Sequence, residues 1–438
     1  MTQPLEPTLS ATTGTSVMES VGASLEHAES PEAKGHRISM GALLAVIGVL
    51  YIWLGSATHG KASFALSQAF DPVKLPTFTL PGAGTVFVGA ILCLLAAAAL
   101  LIKDAPPKMR VWLNVLAGLG VVFGFMAWIA AVGHQTFQLS FQLNGTMAYA
   151  TPLILGALAG VMGENAGVVN VAIEGQFLTG AFAAALVGTI THSIVAALIA
   201  GALTGVVMGV LLALFSIKYL VDQVVLGVVL NLFASGLTGF LYTQFMSTNQ
   251  QRFNMAPQMS DISIPLLSRI PFFGPIIFKQ TILAYLALIC ILIVWFLLRR
   301  TKWGLRVRAV GEHPEAAETV GINVRAIRWQ AVLVGGLLAG LGGCYFTVGT
   351  TGQFVKDISS GYGFIALAAL IMGRWKPGLA ALMALLFGFV TNLGNQTGSV
   401  PMNPNILAAL PYIVTVIAVA GFVGRVVAPK ADGVNYVK

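Results

Sequence analysis

Residues 163–176 gather Glu164, Asn165, Asn170, Glu174 and Gln176 between two apolar runs. Carboxylates and amides in such surroundings are costly unless they face protein or water. They suit a broken helix whose polar groups line a path or brace its bend. Glu164 and Asn165, at the start, also fit a plain turn between two helices. Asn170, Glu174 and Gln176 lie deeper in the pattern, and Glu174 fits a bridge between helices as well as contact with a solute. Further amides sit inside apolar runs: Gln223, Asn231, Asn392, Asn395 and Gln396. Neutral amides suit an uncharged, hydrogen-bonding solute better than an ion, and they equally suit bonds between helices. Tyr362 and Phe364 offer rings for stacking or for packing.

A second polar group is the largest in the chain. Residues 299–322 open with Arg299, Arg300, Lys302, Arg306 and Arg308 and close with Glu312, Glu315 and Glu318. Pro314 suits the first turn of a short helix. A charged, exposed helix between basic flanks suits a polar, reversible docking surface.

Bond-making chemistry is excluded by what is missing. The chain has no HExxH, GxSxG or CxxC pattern, and its six histidines are scattered without metal-ligand spacing. Residues 55–62 approximate a phosphate-binding loop, but Ala62 stands where Mg²⁺ ligation needs Ser or Thr. Cys93, Cys290 and Cys344 all lie in apolar runs and read as buried thiols. No cofactor is expected in this chain. A mechanism driven by ATP requires a separate ATPase.

These groups must be positioned by membrane helices. The chain is 57% hydrophobic and 9% charged, with mean hydropathy +0.85, whereas soluble chains carry roughly a quarter charged residues. The fold class is an all-α polytopic membrane protein. About twelve spans of ~20 residues are expected, near 39–57, 84–102, 111–132, 145–162, 173–189, 193–215, 223–245, 280–298, 329–347, 361–373, 377–392 and 405–424. Residues 1–38 are polar, lack apolar periodicity and read as a disordered cytoplasmic tail. With both termini inside, three-quarters of the 24 Lys and Arg fall on inside segments, as the positive-inside rule demands. The net charge of +8 therefore reflects membrane topology and not nucleic-acid binding.

The spans divide into a peripheral block (39–132) and a core (145–425), followed by a cytoplasmic tail (426–438). Within the core, 165–181 and 361–373 form two weak internal repeats, both punctuated by glycine at corresponding points of two halves. Paired interrupted segments point to a transporter's substrate site. The glycines at 201, 205 and 209, and those at 336 and 340, are signals for close helix packing.

The run Val310-Gly-Glu-His-Pro-Glu-Ala-Ala-Glu-Thr-Val-Gly-Ile-Asn-Val, followed by the glycine-rich 335–343, resembles the ABC importer permeases that include the branched-chain amino acid and ribose types. Residues 163–177 resemble that family's re-entrant signature, and Asn170-Val-Ala-Ile-Glu-Gly is closest to its nucleoside and simple-sugar branch. Gln176 departs from the Met of many relatives. The resemblance covers about 145–425. It implies that 299–328 is a cytoplasmic coupling loop whose segment 312–322, with Glu312, Pro314, Glu315, Glu318 and Gly321, docks on a cytoplasmic ABC ATPase. It also implies ATP and Mg²⁺ in that ATPase, a second and different permease subunit, and an extracellular substrate-binding lipoprotein or periplasmic protein. The site would be a bacterial inner membrane, and the substrate path would draw on Asn170, Glu174, Gln176, Asn231, Phe364, Asn392 and Asn395. The expected solute is a nucleoside, with a simple sugar or a branched-chain amino acid as the alternatives. An ion-coupled secondary transporter would want ionisable residues in several spans, and Glu174 alone fits.

Overall fold

A computed structural model describes residues 31–68, 73–102, 106–396 and 427–437. Among the described residues, ten helices are long and apolar enough to cross a membrane. The expected span at 361–373 is instead a short helix, and the expected span at 405–424 lies outside the described residues.

Three helices form the peripheral block: α1 (Pro31–Ala57), α2 (Gly82–Leu101) and α3 (Pro107–Val132). Residues 31–38, read from composition as tail, belong to α1. Arg37 explains part of this, since it donates to the Leu100 and Leu101 carbonyls at the end of α2. A three-stranded sheet closes one end of the block. Its strand β1 (Lys61–Ala65) pairs antiparallel with β2 (Phe78–Pro81) and parallel with β3 (Phe137–Gln138). Phe64 of β1 is fully buried and stacks on Phe78 and Phe123, with ring centroids 5.1 and 5.2 Å away. The strand after α1 also removes the phosphate-loop reading of 55–62, which needs a helix there.

The core begins with α4 (Leu139–Glu164), α5 (Ile173–Thr191), α6 (Ile194–Ala213) and α7 (Gln223–Leu241). Short helices α8 (Gln250–Phe253) and α9 (Phe273–Ile277), with the hairpin of β4 (Asp261–Ser263) and β5 (Lys279–Thr281), cover the same end as β1–β3. Next come α10 (Ile282–Arg300), α11 (Lys302–Glu312), α12 (Pro314–Thr319), α13 (Val324–Cys344), α14 (Tyr362–Met372) and α15 (Pro377–Gln396). The end of the bundle that carries 299–328 is the basic end, and the other is the far end.

Helices α4, α5 and α13 are the centre, with 78% of their apolar windows buried, against 33–44% for the peripheral block. Helix α4 starts before the expected 145 because its polar first turns are paired. Gln142 donates to the Phe389 carbonyl at 2.8 Å, and Asn392 donates to the Gln142 carbonyl at 2.9 Å. The two glycine patterns meet each other. Gly205 of α6 crosses Gly340 of α13 so closely that a Cβ on Gly205 would overlap the α13 backbone.

Candidate functional site

Helix α4 breaks after Glu164, and the chain stays irregular until α5 begins at Ile173. The local sequence disfavours helix there: Gly167 takes φ +81°, and the β-branched Val168, Val169 and Val171 follow. Backbone groups left unpaired in an apolar setting cost free energy, and α7 supplies their partners. Val169 N–H donates to Gln223 Oε1 at 2.7 Å. Asn231 Nδ2 donates to the Val171 carbonyl at 2.9 Å, and its Oδ1 accepts from Gly175 N–H at 2.8 Å. Gln223 and Asn231 lie about two turns, roughly 12 Å, apart on α7. The broken segment therefore climbs that distance beside α7 before α5 starts. Gly227, between the two amides, leaves it room: a Cβ there would stand 2.6 Å from the Val171 side chain.

The second break runs from Gly352 to Gly361, with positive φ at Gly352, Asp357, Ser360 and Gly361. It too leans on α7, where Ser235 Oγ donates to Asp357 Oδ1 at 2.6 Å. Helix α14 then spans only eleven residues, about 16 Å, or half of a ~30 Å hydrocarbon layer. It starts part-way through the bundle and ends at the basic end.

The two breaks meet at Glu174. Its carboxylate accepts from Ser359 Oγ at 2.6 Å, Gly361 N–H at 2.8 Å and Gly363 N–H at 2.6 Å. Glu174 lies in the first turn of α5 and caps the N-terminus of α14. One negative charge thus faces the positive ends of two helices, which favour it. Gly363 is required for the approach, because a Cβ there would lie 2.5 Å from Glu174 N.

A second clasp closes the basic end. Trp375 Nε1 donates to Glu164 Oε2, and Asn165 Nδ2 donates to the Trp375 carbonyl at 3.2 Å. Trp375 and its neighbour Arg374 take φ 54° and 52° to turn α14 into α15. Glu164 Oε1 has no hydrogen-bond partner among the described residues. Asp432 stands in the same charged cluster, as does Arg328. Burial pushes its carboxyl up to about 7, against the opposing pull of the Gly433 N–H and Arg328.

A family model described as "Branched-chain amino acid transport system / permease component" matches residues 142–419. The chain belongs to this permease family. It is 40% identical over 304 residues to the nucleoside ABC transporter permease protein NupC of Lactococcus lactis, covering 67% of this chain and 95% of NupC. It is 39% identical over 312 residues to the guanosine ABC transporter permease protein NupQ of Bacillus subtilis, covering 68% of this chain and 97% of NupQ. A second guanosine permease of B. subtilis, NupP, is 26% identical over 281 residues, covering 63% of this chain and 78% of NupP. No solved structure matches the chain. The matched region begins near the start of α4, so the peripheral block lies outside the family model.

The permease brings four of its seven candidate path residues together: Asn170, Glu174, Gln176 and Asn231. Asn170 Nδ2 donates to Gln176 Oε1 at 3.1 Å. Both side chains are buried, and Asn170 Oδ1 and Gln176 Nε2 have no partner among the described residues. The other three are elsewhere. Asn392 is bound to Gln142 at the far end, Asn395 is exposed, and Phe364 is 50% exposed on the outside of α14. In the basic loop, α12 starts at Pro314 and the chain turns at Gly321 with φ +82°. Glu312, Glu315 and Gly321 are exposed, as is Val320 at 75%, while Glu318 is half-buried against Tyr436. Sequence reasoning missed Ser235, Ser359, Trp375 and Arg328. Ser359 carried a usable signal, a hydroxyl just before a helix start. Arg328 was counted as a loop cation, yet it is 2% exposed.

Proposed function

We propose that this permease is one membrane subunit of an ATP-driven importer that carries nucleosides inward. One observation supports the reading above the others. The positive end of α14, which could attract an anionic group, is already occupied by Glu174, and at that of α5 the Gly175 N–H is taken by Asn231. The buried polar atoms left over beside them, Asn170 Oδ1 and Gln176 Nε2, are a neutral acceptor and a neutral donor. Such a pair matches the adjacent donor and acceptor on a nucleobase edge, and it has no charge to offer the carboxylate of an amino acid. The names of NupC and NupQ agree with this solute class.

In this reading α12 is the coupling helix. Exposed Glu312, Glu315, Val320 and Gly321 meet a cytoplasmic ABC ATPase, which binds the ATP and Mg²⁺. A substrate-binding lipoprotein or periplasmic protein delivers solute at the far end, and both termini face the cytoplasm of a bacterial cell. The second permease is a different chain, as the presence of both NupQ and NupP in B. subtilis suggests. ATP binding closes the ATPase pair, α12 moves, and the breaks beside Glu174 switch access from one side to the other.

Uptake of labelled uridine and adenosine, beside ribose and leucine, tests this in cells with and without the chain. Loss of nucleoside uptake alone is expected, together with abolition by ATP depletion while the ion gradient is clamped. Loss of ribose or leucine uptake instead would reassign the solute. Uptake that survives ATP depletion and collapses with the gradient would replace the reading by an ion-coupled transporter.

A further inference from the structure

Residues Val427–Val437 cross the basic end of the bundle and touch each of its working parts. Ala431 N–H donates to the Gly311 carbonyl at the end of α11, at 2.9 Å. Arg328 Nη1 in the first turns of α13 donates to the Val434 carbonyl at 2.9 Å. Asn435 Nδ2 donates to the carbonyl of Leu220, in the turn before α7, at 2.6 Å. The Tyr436 hydroxyl is bonded to the Glu318 carboxylate of α12. The fit to the first break is as close. Gly167 faces the Ala431 carbonyl, which a Cβ would approach to 2.8 Å, and Gly433 packs on Val169. Ala431 and Tyr436 are buried at 6% and 8% exposure, so the segment is seated in the bundle.

Helix α12 needs such a tether. It is six residues long, and Ala317 is its one buried residue. A helix so short has little packing of its own to carry a movement into the core. The tail gives it a second attachment, six residues long, from Tyr436 back to Ala431 beside Gly167.

We propose that residues 427–437 form a strap that transmits displacement of α12 to the first broken segment, with Tyr436 the positioning residue that grips α12 through Glu318. This rests on the coupling reading of α12. Moving α12 pulls on Tyr436. The strap then shifts Ala431 and Gly433 against Gly167 and Val169. That segment leads directly to Asn170, Glu174 and Gln176. Arg328 sets the register of the strap at its middle through its bond to the Val434 carbonyl.

The test is the number of ATP molecules hydrolysed per nucleoside imported by the complete transporter in proteoliposomes. Tyr436→Phe keeps the ring and its packing but loses the bond to Glu318. It is expected to raise that number about tenfold, the factor that a lost hydrogen bond to a charged group gives, while the ATPase still co-purifies. Glu318→Leu should raise it at least as much, Glu318→Gln should largely rescue, and Tyr436→Phe with Glu318→Leu should be no worse than Glu318→Leu alone. An unchanged ratio in Tyr436→Phe, or additive effects in the double variant, overturns the strap. Should Tyr436→Phe not accumulate in membranes, Asn435→Ala carries the same test by cutting the strap from Leu220. Glu315→Lys separates the underlying reading. If it leaves the ATPase bound and coupled, α12 is not the coupling helix. If it uncouples and Tyr436→Phe does not, the strap alone fails.

Discussion

Glu164 and Glu174 bracket the same broken segment and are treated in opposite ways. Glu174 holds three donors from the second break, two of them backbone N–H groups. Glu164 takes one indole N–H from Trp375 and the weaker pull of the Asn170 N–H, and its Oε1 has no hydrogen-bond partner among the described residues. At the deep end of the break the Glu174 carboxylate is saturated and fixed. The end beside the basic loop is under-bonded, and it adjoins Arg328 and the tail segment. A broken helix that has to move needs one anchored end and one adjustable end, and the hydrogen bonds are distributed accordingly.

Breaking the anchored end should have the largest effect. Glu174→Gln turns an acceptor-only group into one whose NH₂ opposes N–H donors. It should cost about 3 kcal/mol or more at this junction and remove nearly all uptake at equal membrane levels, as initial rates with labelled nucleoside would register. Normal rates would deny Glu174 the anchor role. Asn231→Leu comes next. It strands the Val171 carbonyl and the Gly175 N–H, two neutral bonds at about 1 kcal/mol each or more. Uptake should fall by about thirtyfold, and the thermal midpoint of the purified protein should drop. At the adjustable end, Trp375→Phe removes one donor and should lower uptake only by a factor of about three. An effect as large as that of Glu174→Gln would erase the contrast between the two ends.

The smallest expected effect is a pH response of the strap. Asp432 has its carboxyl raised from 3.8 to about 7 by burial. The docked state thus holds a proton that the undocked state releases. Docking is strongest below the undocked value, weakens as pH rises through about 7, and is weakest above it. Protease cleavage within 427–437 should quicken as pH rises from about 4 to 7, the interval between the undocked and docked values, and level off above it. Asp432→Asn should flatten the profile, and an unaltered slope in that variant would exclude Asp432 as its source.

Much of this architecture was legible in the sequence because apolar length alone marks a span. The Gly-rich pairs at 201–209 and 336–340 announced a close crossing, and the segment around Glu174 announced a break. The pairing of that break with 361–373 was visible only as a weak likeness, because the contact joins residues nearly two hundred positions apart. The amides stayed open between a solute and bonds within the bundle for a physical reason. Gln223 and Asn231 look free in a sequence, yet their bonds are spent on backbone that only a broken helix exposes. The tail segment was illegible, since its grip comes from backbone carbonyls and from Tyr436, which no periodicity marks.

Glu174 also bears on how the chain acquires its fold. Helix α14 is too short to be held across a bilayer by its own apolar length, and the partner for its first N–H groups is made 187 residues earlier, measured to Gly361. Its seat must already exist when it emerges. Contacts of such long sequence separation form late and slowly. The carboxyl-terminal half, produced by itself, would therefore insert α10, α13 and α15 but leave α14 without a fixed depth. Supplying residues 139–246 as a separate fragment should restore it.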